Sequence, residues 1–159
     1  MKTIAATLAL VLFSASAWAQ SCPEALAERR PTFAPPVDAT IFSAFGERTS
    51  AQETRFHPGV DYAVAVGTPV HAAAGGTVVI ASAQGDYGNY VRIRHGRGYE
   101  TAYAHLSAFA VKVGDCVKAG DQLGQSGMNQ SRPALHFELL VNGRFLDPSR
   151  YVADNRAKP

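Results

Sequence analysis

From Ile41 onward the chain is a succession of short β-like runs punctuated by glycine, with no stretch between them long enough for a substantial helix. The clearest runs are Val60-Asp61-Tyr62-Ala63, Thr77-Val78-Val79-Ile80, Tyr90-Val91-Arg92-Ile93-Arg94 and residues 99–106, and residues 135–141 close the series. Turn signals separate them: Val66-Gly67-Thr68-Pro69, Gly75-Gly76, Gly85-Asp86-Tyr87-Gly88-Asn89 and His95-Gly96-Arg97-Gly98. Closely spaced strands joined this way predict an all-β fold, an antiparallel sheet or barrel-like sandwich. Asn142-Gly143 predicts a type I′ hairpin near the end.

The first nineteen residues read as a signal peptide rather than as part of the fold. Lys2 gives a positive start, residues 4–13 are apolar, and Ala17-Trp18-Ala19 supplies the small-x-small cleavage pattern, so the mature chain is expected to begin at Gln20. The apolar run is too short for a membrane span and nothing later approaches one. No small-residue lipobox precedes Cys22. These features predict export to the periplasm or the medium. The remaining length suits one domain. A formal net charge of +2, without basic runs interleaved with aromatics, argues against a nucleic-acid partner.

Cys22 and Cys116 are the two cysteines, and in an exported protein they are expected to form a disulfide. Ser21 and Glu24 have capping-box spacing, which predicts a short helix ending near Arg30, before Pro31, Pro35 and Pro36. Residues 20–36 are thus read as helix and linker, 37–152 as the domain, and 153–159 as a tail.

Four polar residues stand out once placed on strands. His57 and Asp61 flank Pro58-Gly59-Val60, which excludes a regular helix, so a turn must bring His57 round to Asp61. His105 ends the run 99–106, in which regular alternation puts residues 99, 101, 103 and 105 on one face. In Leu135-His136-Phe137-Glu138-Leu139 the apolar residues face one way and His136 and Glu138 the other. Two histidines and a carboxylate are a familiar catalytic-zinc set, but spacing does not show that these three converge. Taken singly, each also reads as ordinary surface or structural polarity. His71, in an alanine-rich strand, and His95, before a glycine turn, are read as structural.

Residues 37–152 resemble the lysostaphin (LytM-type) zinc metalloendopeptidases that cut peptide crosslinks in bacterial cell walls. The strings that carry the resemblance are Ile41-Phe42-Ser43-Ala44-Phe45-Gly46-Glu47-Arg48, His57-Pro58-Gly59-Val60-Asp61, Val66-Gly67-Thr68-Pro69-Val70, Tyr87-Gly88-Asn89-Tyr90-Val91, Thr101-Ala102-Tyr103-Ala104-His105-Leu106, Leu135-His136-Phe137-Glu138-Leu139 and Asp147-Pro148. The resemblance implies a LytM-type, hybrid-barrel-related β fold and zinc held by His57, Asp61 and His136, with His105 beside the reacting water. It also implies a departure: the family's H-x-H string has a base-assisting histidine where this chain has Ala134, on the same strand face as His136. The preceding loop, Ser126-Gly127-Met128-Asn129-Gln130-Ser131-Arg132-Pro133, departs from the family as well, which bears on substrate preference.

The implied activity is hydrolysis of peptide bonds in peptidoglycan stem peptides or crosslinks, slowed by the missing base. The alternative is a non-catalytic regulator that binds cell wall and activates an amidase. A carrier-domain likeness in Val113-Gly114-Asp115-Cys116-Val117-Lys118-Ala119-Gly120-Asp121 is discounted, because no biotinyl- or lipoyl-lysine string is present.

Overall fold

The structure is a computed structural model that describes Cys22 and residues 31–49 and 53–152. The expected signal peptide, the helix up to Arg30 and the 153–159 tail lie outside the described residues. Twelve strands follow in order: β1 (Ile41–Ser43), β2 (Gly46–Thr49), β3 (Thr54–His57), β4 (Val60–Tyr62), β5 (Pro69–His71), β6 (Gly76–Ala83), β7 (Asn89–Gly96), β8 (Tyr99–Phe109), β9 (Cys116–Val117), β10 (Gln122–Met128), β11 (Pro133–Val141) and β12 (Arg144–Leu146). Two single 3-10 turns, Gly85–Tyr87 and Pro148–Arg150, are the helical elements among the described residues. The fold is therefore all-β, as the glycine-punctuated pattern predicts. Asn142 and Gly143 both have positive φ, 48° and 75°, in the two-residue β11–β12 link, as a type I′ turn requires.

Ten strands form one antiparallel sheet whose main path runs β1-β4-β11-β10-β8-β7-β6-β9, with β12 on β11 and β5 on β10. Strands β2 and β3 form a separate ribbon. Alternation sorts the main sheet into two faces. Leu135, Phe137 and Leu139 of β11 join Tyr103, Ile93 and Val91 in the main core. The opposite face of β8 carries Ala102 and Ala104, which pack with Tyr90 in a smaller cluster. Ala104 is paired with His136 and Ala102 with Glu138, so the smallest side chains of β8 lie beside the polar ones of β11. Bulkier residues at 102 or 104 would occupy the space those polar groups need.

The segment read as linker is docked on the sheet. Phe33 and Val37 are core residues, the Ala34 amide donates to Ala73 O at 2.8 Å, and the His71 amide donates to Pro36 O at 2.9 Å. Apolar burial at Phe33 gives this extended stretch its anchor.

Cys22 and Cys116 are joined by a disulfide. Cys116 lies on the two-residue edge strand β9, opposite Thr77, whose hydroxyl donates to Cys22 Sγ at 3.0 Å. The bridge ties the segment preceding the domain to the end of the sheet. With the cysteines 94 positions apart in sequence, loop-entropy arguments set a ceiling of about 4–5 kcal/mol on its stabilisation. Protein recovered in oxidised form should take up alkylating reagent at neither cysteine until reduced. Reduction should lower the unfolding midpoint and open the segment before Pro31 to protease ahead of the sheet. Thiols alkylated without prior reduction, read by mass spectrometry, would contradict the bridge.

Candidate metal centre

His57 is the last residue of β3 and Asp61 the middle residue of β4, and Pro58-Gly59 makes the turn between them. Strand β4 pairs with β11 so that Asp61 lies directly opposite His136. That pairing depends on Gly59. A Cβ there would stand 2.3 Å from Phe137 O and 2.9 Å from His136 Cε1, so any side chain would push β4 off β11.

The three side chains are buried and meet at a point. His136 Nδ1 is 2.8 Å from Asp61 Oδ1, His57 Nε2 is 3.3 Å from the same oxygen, and the two nitrogens are 3.2 Å apart. The outer contacts fix the tautomers. His57 Nδ1–H donates to Ala44 O at 2.7 Å, and His136 Nε2–H donates to Glu138 Oε1 at 3.2 Å. With both ring hydrogens on the outer nitrogens, His57 Nε2 and His136 Nδ1 present lone pairs to each other and to a carboxylate oxygen. Three acceptors facing one another at such distances need a cation between them. Tetrahedral coordination with bonds of about 2.1 Å separates neighbouring ligand atoms by about 3.4 Å, close to the triangle observed. The donor set therefore fits a small divalent metal such as zinc, with one position left for solvent or substrate.

Burial by itself would raise the Asp61 carboxyl, but its contacts with His136 and His57 outweigh that and hold it well below the usual carboxylate range. Without a metal a proton on His136 Nδ1 takes the cation's place: burial lowers this imidazole, while Asp61 and Glu138 more than compensate and raise it. Glu138 is itself buried and accepts a second hydrogen bond, from Tyr87 Oη at 2.8 Å. Burial, reinforced by Glu138, raises Tyr87 and pushes Tyr90 up to about 12, so both phenols remain donors.

His105 reaches this site by a route that alternation does not predict. Its neighbour Tyr103 points into the main core, so a regular strand would point His105 there too. His105 instead has φ 59°, a left-handed conformation rare for a residue with a side chain. Strand β8 is opposite β11 up to Ala104 and opposite β10 from Leu106, with an extra residue relative to β7 between Tyr103 and Leu106. This bulge turns the imidazole onto the His136 face, with ring centroids 6.1 Å apart. Asn89 Nδ2 donates to Leu106 O at 3.1 Å and Ser107 Oγ to Ser126 O at 2.9 Å, fastening the bulge on both sides. Burial and the nearby His136 both lower the basicity of His105, which keeps it neutral.

A cleft of about 320 Å³ opens over the triad, with His105, Tyr87, Arg48 and the loop residues Asn129, Gln130 and Ser131 in its walls. Ala134 is fully buried and is not part of that wall. The altered loop, through Asn129, Gln130 and Ser131, supplies part of the wall. His95 is structural: its Nδ1–H donates to Gly75 O at 2.9 Å and its Nε2 meets Thr101 Oγ1 at 2.7 Å in the core. The sequence reading missed Glu138, Tyr87 and Arg48. Glu138 shares the His136 face and Tyr87 opens the Tyr87-Gly88-Asn89 string, but only the folded sheet brings them to the triad.

Residues 55–148 match the sequence profile of Peptidase family M23. The chain belongs to that family. It is 42% identical over 118 residues to the DD-carboxypeptidase/endopeptidase Mpg of Neisseria meningitidis serogroup B, covering 72% of this chain and 27% of the relative. Among solved structures it is similar to a zinc-containing peptidase from Vibrio cholerae (TM-score 0.71, 34% identity, 79% of this chain and 40% of that one). It is likewise similar to the catalytic domain of the antimicrobial peptidase lysostaphin from Staphylococcus simulans (TM-score 0.66, 33% identity, 71% of this chain and 91% of that one). The chain matches about a quarter of the length of curated relatives such as Mpg and the Vibrio cholerae DD-endopeptidase ShyA, 27% and 21% respectively.

Gly59→Ala should destabilise the protein by about 1–3 kcal/mol through overpacking and should weaken metal retention by displacing β4. Denaturant unfolding and competition with a chelator measure the two effects. Parent-like values in both would mean that the β4–β11 approach does not depend on the glycine.

Proposed function

We propose that this chain is an exported zinc metalloendopeptidase acting on peptide bonds of peptidoglycan stem peptides or crosslinks. In this reading His57, Asp61 and His136 hold the metal. The observation that carries it is the buried meeting of three lone-pair atoms whose tautomers are fixed from outside, inside a fold of peptidase family M23. A zinc ion bound there supplies Lewis acidity and lowers the pKa of water. His105, neutral and turned into the cleft, takes a proton from the attacking water and passes it to the leaving amine. Glu138 and Tyr87 hold the His136 ring in orientation, as groups behind metal-binding histidines commonly do. Peptidoglycan as substrate accords with the endopeptidase names of relatives such as ShyA. The disulfide and the signal-peptide-like start support export. Among the described residues no helix is long and apolar enough to cross a membrane.

The identity of residue 134 favours a second reading. Ala134 offers no imidazole, and it does not line the cleft. A protein that binds cell wall and activates an amidase without cutting would tolerate this loss. Intact ligands place hydrolysis first, because a regulator has little need of a buried metal cluster.

The decisive comparison is between the parent, Ala134→His and Asp61→Ala on crosslinked muropeptides, with metal content measured for each. One zinc per chain is expected in the parent and in His105→Ala, and none in His57→Ala, Asp61→Ala or His136→Ala. Restoring an imidazole at 134 should raise hydrolysis by at most about two to four powers of ten, the range of a general base. The gain is reduced by about 1–3 kcal/mol of strain at a fully packed position, which thermal unfolding reads separately. If parent and Ala134→His both fail to cut while stimulating an amidase, and Asp61→Ala stimulates equally well, the regulator reading replaces the enzyme.

A further inference from the structure

Residues 129–132 join β10 to β11, and three of them, Asn129, Gln130 and Ser131, form part of the wall of the cleft over the triad. The loop holds its own shape. Asn129 Oδ1 accepts from the amides of Ser131 at 3.0 Å and Arg132 at 2.9 Å, and the Asn129 amide donates to Arg132 O at 3.0 Å. None of these bonds reaches another element. Among the described residues, the one hydrogen-bond, ion-pair or ring contact from this loop to a distant part of the chain is made by the Arg132 guanidinium, which stacks 4.2 Å over the Phe42 ring. An irregularity in β1 places Phe42 for this contact. Ile41 pairs with Tyr62 and Ser43 with Asp61, so two steps along β1 match one along β4, and Phe42 is the extra residue. A bulge of this kind re-aims a side chain out of the regular alternation. Phe42 is 38% exposed rather than packed in the core. In the sheet β4 lies between β1 and β11, so the stack joins elements on either side of the strand that carries Asp61.

We propose that Arg132 is a positioning residue for substrate: stacked on Phe42, it pins the wall formed by residues 129–131, and the pinned wall sets the affinity of the cleft for peptides long enough to touch it. This deepens the metallopeptidase reading and rests on it for the metal and the peptide, but not for turnover. A wall fixed before binding costs a ligand less ordering than one fixed only on binding. An exposed cation–π contact is weak, equivalent to about two- to fivefold in an equilibrium constant, and that is the size of effect expected. Neither Arg132 nor Phe42 lines the cleft or touches the triad. Their influence therefore passes through the wall and falls on the binding of a peptide rather than on the metal.

Two hydroxamates separate the wall from the metal: acetohydroxamate, which is long enough only for the zinc, and a stem-tetrapeptide hydroxamate, which extends beyond it along the cleft. Equilibrium binding of each to the zinc-loaded parent, Arg132→Gln, Arg132→Lys, Phe42→Leu and the double variant of Arg132→Gln with Phe42→Leu is measured by calorimetry. Zinc content and thermal unfolding are determined for every protein. Arg132→Gln and Phe42→Leu should each weaken the peptide hydroxamate about two- to fivefold, with acetohydroxamate binding and zinc content unchanged. The double variant should be no weaker than either single one, because both remove the same contact. Arg132→Lys, which keeps a cation for the ring, should recover part of the loss. Where muropeptides are cut, KM should rise by the same factor with kcat unchanged. Equal peptide affinity in parent and variants overturns the proposal, and so does additive loss in the double variant, which would mean that the two residues act separately. Equal weakening of both hydroxamates would put the effect at the metal and also overturns it. A zinc-loaded parent that binds the peptide hydroxamate no more tightly than acetohydroxamate, or binds neither, gives the wall no role and overturns it as well. Failure of the peptidase reading shows elsewhere, as muropeptides left uncut by a parent that binds the peptide hydroxamate.

Discussion

Three acceptor atoms share one small buried space in this protein, and most of the surrounding structure serves to keep them there. His57 Nε2, Asp61 Oδ1 and His136 Nδ1 would repel one another without a cation, since the hydrogens of both rings are committed to Ala44 O and Glu138. Buried charge is tolerated only when paired. Each of the three is accordingly tied from behind: His57 by a backbone carbonyl, Asp61 by Arg48, and His136 by Glu138, itself held by Tyr87. The site is a layered arrangement in which the outer contacts set which atoms face inward. Ring orientation and the inward-facing acceptor atoms are then consequences of the same few hydrogen bonds.

The sheet makes room for this arrangement by keeping one stretch of its surface small. Ala102 and Ala104 lie beside Glu138 and His136, and Gly59 lets β4 approach β11 to a distance no side chain allows. Large residues are assigned to the other face, where Phe137, Leu135 and Tyr103 form the core. Alternation along β11 thus divides stability from chemistry within one strand. Leucine and phenylalanine hold the strand in place, and the intervening residues present polar groups to the cleft.

Much of this was legible in the sequence, for definable reasons. The all-β class, the Asn142-Gly143 hairpin and the Cys22–Cys116 pair follow from period, turn chemistry and compartment. The opposition of His136 and Glu138 to Leu135 and Phe137 also follows from period. The meeting of His57, Asp61 and His136 does not, since they lie on β3, β4 and β11, and family resemblance supplied the expectation. His105 shows where period fails. One residue at positive φ reverses the facing of everything after it, and a histidine in that conformation carries none of the glycine or asparagine signal by which such a break is usually read. Arg48 and the docked segment around Phe33 were equally hidden, because their roles arise from contacts between distant stretches.

The bulge at His105 also sets residues 134 and 136 in different surroundings. On one edge of β11 the neighbour is β4. On the other edge the neighbour changes between these two residues: Ala134 is paired with Gly127 of β10, and His136 with Ala104 of β8. The change occurs where β8 bulges, and Gly127 packs so closely on the bulge that a Cβ there would stand 2.7 Å from His105 O. Residue 134 therefore belongs structurally to the β10 loop, whose Asn129 carboxamide accepts from the amides of Ser131 and Arg132 and whose Arg132 stacks over Phe42 at 4.2 Å. His136 belongs to the β4–β11–β8 sheet. The strand pairing of residue 134 is thus separate from the one that positions His136. Two residues on one strand, two positions apart, therefore answer to different neighbours.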